Sequence, residues 1–325
     1  MTLQISRFGF VLALAALAGA APAGAQQYPV KPVRIIVPFP PGGTSDILGR
    51  LVATRLTESL GQTFIVENRP GAGGLIGLEQ LTTSAPDGYT LGVTGAAPSV
   101  IAPLLAKKPP YDPIGEFTHI ALFGGPPSVF GVHPSLPAKS LKAFIAFAKA
   151  RPGELTYGSP GNGTQGHLIG ELFKQKAGIK IVHVPYKGAA FAVVDVVAGH
   201  IHAISTTLTT ASAQVRAGRV RALAISSGAR LPDYPGVSTF RELGYPDLVA
   251  TIWFSLSGPA GVPPEIVNRL NGEVRRILQL PDVRERLSRD GIEPNQLDAR
   301  AFTEFVIAEI KRWGPVVRAS GARAD

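Results

Sequence analysis

The feature that most constrains this chain is a rhythm. Short β-branched runs alternate with amphipathic helical stretches, and glycine loops stand at the joins. Val33-Arg34-Ile35-Ile36-Val37 reads as a strand from its β-branched content. From about Thr44 to Leu60, residues Ile47, Leu48, Leu51, Val52, Leu56 and Leu60 recur at three and four. That spacing is one face of a helix, and Gly61 is a natural stop. Thr63 to Glu67 reads as a second strand and Leu75, Leu78 and Leu81 mark a second helix. Pro86-Asp87-Gly88 is a turn, and Thr90 to Thr94 a third strand. Such a βαβαβ run implies a parallel sheet with helices on its faces.

The rhythm then restarts. Ser140 caps a helix carrying Leu141, Phe144, Ile145 and Ala148. Leu155 to Tyr157 is a strand, and Gly163-Thr164 opens a helix with Leu168, Leu172 and Phe173. Lys180 to Val184, Ile201 to Ser205 and Val220 to Ile225 are strands, with a helix from Ala189 to Ala198 after the first. There are thus two α/β units, joined by Phe123 to Pro127 and by roughly Pro246 to Thr251. Ile252 to Leu256 then reads as a strand, and three helices finish the chain. One starts at Pro264 with Ile266, Val267, Leu270, Val274 and Ile277 on a face. The last, from about Asp298, carries Phe302, Phe305, Val306, Ile310 and Trp313. The length of 325 residues agrees with two units, since single cores rarely grow past roughly 250–300 residues.

Residues 1–25 have the parts of a secretory signal. Arg7 supplies a positive start, Phe8 to Ala20 is apolar and small, and Ala23-Gly24-Ala25 fits a cleavage site before Gln26. The run is short for a spanning helix, and Pro22 interrupts it. Absence of Cys excludes disulfides, thiolate zinc, iron–sulfur clusters and thiol nucleophiles. The formal charge of +9 raises the question of nucleic acid. Much of that charge lies on the late helices, at Arg269, Arg275, Arg276, Arg284, Arg286 and Arg289. A solvated surface explains it, and no nucleic-acid partner is expected.

Two loops share one design. Pro38-Phe39-Pro40-Pro41-Gly42-Gly43-Thr44-Ser45-Asp46 and Ser159-Pro160-Gly161-Asn162-Gly163-Thr164-Gln165 each run from a strand into a helix. Glycine lets backbone approach a ligand, and a helix start offers unpaired N–H groups and positive potential. Neither loop contains Lys or Arg, so a carboxylate held there would meet N–H and hydroxyl groups. Either loop alone is equally an ordinary βα turn with a Thr cap; the pair suggests two walls of one crevice. Gly161, Gly163 and Gly166 also spell a dinucleotide fingerprint. The following strand ends at Val184-Pro185-Tyr186 without the acid a ribose needs, so no cofactor is expected.

At these residues the sequence resembles a known family. The stretches YPVKPVRIIVPFPPGGTSD (28–46), VENRPGAGG (66–74), APDGYTL (85–91), YDPIGEFTHIA (111–121), GNGTQGHL (161–168), HVPYKGAAFAVVDVVAG (183–199) and RLNGEVRRIL (269–278) are similar to the Bug receptors. These are the substrate-binding proteins of tripartite tricarboxylate transporters. The resemblance implies an α/β, two-lobed periplasmic binding protein of the type II kind. Two parallel-type sheets flanked by helices would face a central cleft across a hinge near residues 124–127 and 247–252. It implies lobe 1 from residues 26–125 and 252–325, and lobe 2 from 126–251. It implies a small organic carboxylate as ligand, a membrane permease of the same system as partner, action as a monomer and no catalysis. It places one ligand carboxylate between Pro41-Gly42-Gly43 and Gly161-Asn162-Gly163-Thr164. Other readings of the cleft are a ligand sensor for a signalling system, or a hydrolase using Ser159 or His167.

Further candidates carry two readings each. Phe39 either covers the ligand or packs under its loop. Asp46, in a first helical turn, either suits the helix dipole or orients water and loop N–H groups. Thr94, Thr206 and Thr207 end strands and either point hydroxyls into the cleft or serve the sheet. His167 either bonds the ligand or its water, or serves the fold. Gly95-Ala96-Ala97-Pro98-Ser99 is small and apolar; lining the cleft, it would suit a bulky or apolar far end of the ligand. Phe191 either alters the pocket wall or fills the core, and Lys187 and Asp195 read as solvated or structural. His200 and His202 share a strand face but lack a third ligand nearby, so no metal site is expected.

Overall fold

The computed structural model describes residues 28–320; the signal-like segment and the cleavage point before Gln26 lie outside the described residues. The chain runs β1 (Val33–Val37), α1 (Thr44–Leu60), β2 (Phe64–Asn68), α2 (Leu75–Thr82) and β3 (Thr90–Gly95). A π-turn (Ala97–Ile101) leads into the short α3 (Ala102–Leu105), and β4 (Phe117–Gly124) follows. After a crossing come β5 (Ser128–Val132), α4 (Leu141–Ala150), β6 (Thr156–Ser159), α5 (Gln165–Ala177) and β7 (Val182–Pro185). Then come α6 (Ala189–Ala198), β8 (Ala203–Thr207), α7 (Leu208–Arg216) and β9 (Arg221–Ile225). The chain crosses back into β10 (Phe254–Pro259), α8 (Pro264–Leu278), α9 (Pro281–Ser288) and α10 (Ala299–Ser320).

Two five-stranded sheets result, ordered β2-β1-β3-β10-β4 and β7-β6-β8-β5-β9. The expected parallel sheets are mixed. In the first, β2, β1 and β3 are parallel, and β10 runs against β3 and β4. In the second, β7, β6 and β8 are parallel, and β5 runs against β8 and β9. The reason is the crossing. Parallel strands end at the cleft, where βα loops lie. A strand arriving from the other lobe enters at that same edge and must run away from it. β5 and β10 are those arriving strands.

Local chemistry sets the element ends. Ser140 accepts from Ala143 N at 3.1 Å and caps α4. Gly61 and Gly178 close α1 and α5 in left-handed conformation. Pro264 opens α8, whose Val267, Leu270, Val274 and Ile277 are buried on one face. In lobe 2, Phe130 meets Phe144 and Phe173 at 5.1 and 4.9 Å between ring centres. Fully burying one such ring contributes about 1.5–3 kcal/mol. Beside β8 the strand begins two residues later than its sequence suggests, so His200 and His202 lie in the preceding turn.

At the hinge the two crossing segments touch. Ile252 N donates to Pro126 O at 3.2 Å, and Pro127 bridges Thr251. A Cβ on Gly125 would lie 1.6 Å from Ile252 O, so this approach requires glycine. Trp253 Nε1 and Trp313 Nε1 both donate to Glu309 Oε2, at 2.9 and 3.0 Å. That carboxylate is buried and ties α10 to the hinge.

Candidate functional site

A cavity of about 50 Å³ lies between the lobes. Four helices begin at its wall. α1 presents Gly43, Thr44 and Ser45; α5 presents Thr164 and Gln165; α6 presents Gly188 and Ala189; α7 presents its N-cap Thr207. The remaining wall is Phe39, Pro40, Pro41, Ala97, Pro160, Gly166, Ala190, Ile252 and Phe254. Among the described residues, no charged side chain lines it. Each helix start carries unpaired N–H groups and close to half a positive charge. The cavity is therefore electropositive through backbone alone, which suits a small anion.

A wider cleft of about 1240 Å³ opens beside it. Phe39 and Pro160 line both spaces. The cleft is walled by Gly71 to Leu75, Gly161-Asn162-Gly163 and α3, with Lys107, Lys108, Lys187 and Arg318 on its lining.

The lobes meet around the cavity. Thr44 Oγ1 lies 2.7 Å from Thr207 Oγ1 and 3.0 Å from Thr210 Oγ1. Small residues make this approach feasible. A Cβ on Gly163, at φ +73°, would stand 3.1 Å from Ala102 Cβ, and one on Gly42, at φ +84°, would stand 3.4 Å from Ala190 Cβ.

Of the candidates, Phe39, Pro41, Gly43, Thr44, Thr164 and Thr207 line the cavity. Gly161, Asn162 and Gly163 line the cleft instead. Gly42 shapes its turn and donates its N–H to Asp46 Oδ2 at 3.0 Å. Asp46 also accepts from Arg50 Nε at 3.0 Å and Asn68 Nδ2 at 2.9 Å. Burial pushes its carboxyl up, but Arg50, the Gly42 N–H and Asn68 together hold it below the ordinary value. Asp46 is a buried brace of the first loop.

Four candidates stand elsewhere. Thr94 Oγ1 is spent within the sheet, 2.6 Å from Ser255 Oγ and 2.8 Å from Ser257 Oγ. Ala96 donates its N–H to Trp253 O at 3.1 Å, and its neighbour Ala97 lines the cavity instead. The small, apolar stretch after β3 is thus a buried π-helical turn. Thr206 is fully buried on the sheet face opposite Thr207, because neighbours on a strand alternate. His167 packs inward, its ring stacked on His183 at 4.2 Å. Phe191 neither walls the cavity nor fills the core, being 51% exposed. Asp195 accepts from Tyr186 OH at 2.6 Å and pairs with His200.

His167, Glu171 and His183 place one ligand atom each within 4.8 Å of one another. Imidazoles stacked plane on plane aim their lone pairs in parallel planes rather than at one point. Glu171 is already held by Lys174 and by Tyr157 OH, and Ser159 Oγ lies 2.7 Å from His183 Nε2. This is a packed, hydrogen-bonded column. Ser45 and Gln165 fall within the two loops read from sequence but were not singled out, and the Gly188–Ala190 start of α6 was missed. The rule that found Thr44 and Thr164, a strand running through a small-residue turn into a helix, also describes Gly188-Ala189.

The model of the tripartite tricarboxylate transporter family receptor matches residues 48–322. The chain belongs to that receptor family. The receptor is 39% identical to protein BugT of Bordetella pertussis over 99% of both chains. A solved structure described as a periplasmic transporter is 38% identical and covers 92% of the receptor and all of its own chain, with a TM-score of 0.89. The Rhodopseudomonas palustris protein Rpa4515, described as R. palustris Rpa4515 with adipate, is 35% identical over 91% of the receptor and 99% of its own chain, with a TM-score of 0.88. The receptor is thus a two-lobed solute-binding protein of a periplasmic family.

Proposed function

We propose that this receptor captures a small carboxylate-bearing organic anion between its lobes and presents it to a tripartite tricarboxylate permease. The observation that carries this reading is the meeting of four helix starts on one small cavity that, among the described residues, no charged side chain lines. The adipate named for the R. palustris neighbour supports it. The cavity takes the carboxylate head, and the cleft beyond Phe39 and Pro160 takes the rest of the molecule. Lobe 1 comprises residues 26–125 and 252–325, and lobe 2 residues 126–251. The protein is exported, cleaved before Gln26, and works as a monomer by binding and release, leaving its ligand chemically unchanged.

A thermal-shift panel of mono-, di- and tricarboxylates tests this. A ligand at 100 times its Kd adds about 2.7 kcal/mol to stability. At least one acid raises Tm in the wild type and is recovered intact. Gly163→Val, which puts a branched side chain at positive φ against Ala102, melts cooperatively but shows no ligand shift. A panel without any shift, or an acid that is consumed, overturns the reading.

A further inference from the structure

α6 is apolar on every side, yet among the described residues only one of its faces is covered. Its one charged side chain, Asp195, is held by Tyr186 and His200. Ala189, Ala192, Val193 and Val196 are buried. Phe191 is 51% and Val194 64% exposed, and Ala198 is exposed as well. Backbone within a helix offers little surface, so this exposure belongs to the phenyl ring and the isopropyl group. Spacings of three and four put the three residues in one stripe along the helix. A helix apolar all round belongs in an interior, and an apolar stripe left in water marks a contact surface.

Position and charge say what covers it. α6 starts on the cavity wall, at Gly188, Ala189 and Ala190. The stripe runs outward from there, beginning at the seam between the lobes. A Cβ on Gly42 would stand 3.4 Å from Cβ of Ala190, the residue before Phe191, and one on Gly188 would stand 2.9 Å from Pro40 Cδ. Pro41 and Gly42, on the lobe 1 side of that contact, are exposed. A partner seated on the stripe therefore reaches both lobes and stands at the ligand's way out. Lys187, four residues before Phe191, is exposed and shares the lining of the wide cleft with Lys107, Lys108 and Arg318. Among the described residues no acid lines that cleft. The occupant is thus apolar with carboxylates beside it. A second copy of this chain would bring the same cations. α6 has ten residues and is about 15 Å long, so stripe-on-stripe contact falls far short of the roughly 800 Å² per partner of a stable dimer. Resting on the permease reading above, we propose that Phe191, Val194 and Ala198, with Lys187 beside them, form the surface on which the membrane permease docks, through apolar side chains flanked by Asp or Glu.

Flotation of the whole receptor with vesicles tests the assignment. Phosphatidylcholine vesicles carrying the tripartite tricarboxylate permease are compared with the same vesicles without protein and with vesicles containing phosphatidylglycerol, each without added acid and in saturating adipate. The wild type floats only with the permease vesicles. Phe191→Ala with Val194→Ala, which keeps helix propensity, raises the Kd for them about tenfold or more. Lys187→Glu weakens docking as well, and the wild type docks less tightly as salt rises. Val194→Lys, at an exposed position, covers the case of a double variant that does not fold. Unchanged docking in the double variant and in Val194→Lys overturns the proposal and leaves the permease reading standing. Flotation of the wild type with phosphatidylglycerol vesicles, lost in the variants, makes the stripe a lipid-binding face and overturns it too. So does a wild type that sediments as a dimer with a monomeric double variant. A wild type that floats with no vesicles overturns both readings.

Discussion

His119 shows how far one buried side chain ties this fold to pH. It is 4% exposed, with Nε2 3.1 Å from Pro113 O and Nδ1 3.3 Å from Ser257 Oγ. Burial pushes its pKa down from 6.5 to about 4, against the pull of the Pro113 carbonyl. The unfolded chain takes up a proton near pH 6.5, and the folded one only near 4. Stability is therefore full above pH 6.5 and falls as pH drops toward 4, by at most about 3 kcal/mol. Denaturant melts of the wild type and His119→Gln should show a shallower loss between pH 7 and 4.5 in the variant. Equal slopes would sink this account. Legibility at this scale follows chemistry. Thr44 and Thr164 could be read because a cap sits at a join that sequence marks. Asp46 was legible as a helix-start acid, but its partner Asn68 lies 22 residues away and is brought in by β2.

Elements were most legible where they are amphipathic; of the strands buried throughout, β8 and β10 were read and β5 was not. α1, α8 and α10 announce themselves by a 3.6-residue period. β4 and β5 have no alternation, since nearly every residue of β4 and all of β5 are buried, and no sequence reading found them. The reversal of β5 and β10 was illegible for a different reason: direction depends on which edge the chain enters. The same crossing gives α10 its task. Glu309 accepts from Trp253 beside the hinge, from Trp313, and from Arg312. Glu309→Ala strands two buried indole N–H groups and should cost about 2–4 kcal/mol in chemical denaturation. Glu309→Gln retains one acceptor and should lose less. A loss under about 0.5 kcal/mol in the alanine variant would mean that the indoles find other partners.

At the scale of the whole molecule, the two lobes and the cleft were legible and the closure contacts were not. No local pattern pairs Thr44 with residues more than 160 positions away. These hydroxyls can meet only when the lobes are together, so they weigh on closure rather than on either lobe's folding. Closure in turn follows encounter with the ligand. Removing the contacts should therefore leave kon nearly unchanged and raise koff. One neutral hydrogen bond is worth about 1 kcal/mol, or roughly fivefold in koff. Thr44→Val tests this but also touches the cavity wall. Thr210→Val loosens the same contact from outside it, because Thr210 does not line the cavity. Both variants should speed ligand release in stopped-flow experiments, and the double variant should fall short of the sum of the two. Slower association with unchanged release would place the threonines in the encounter step and not in the closed state.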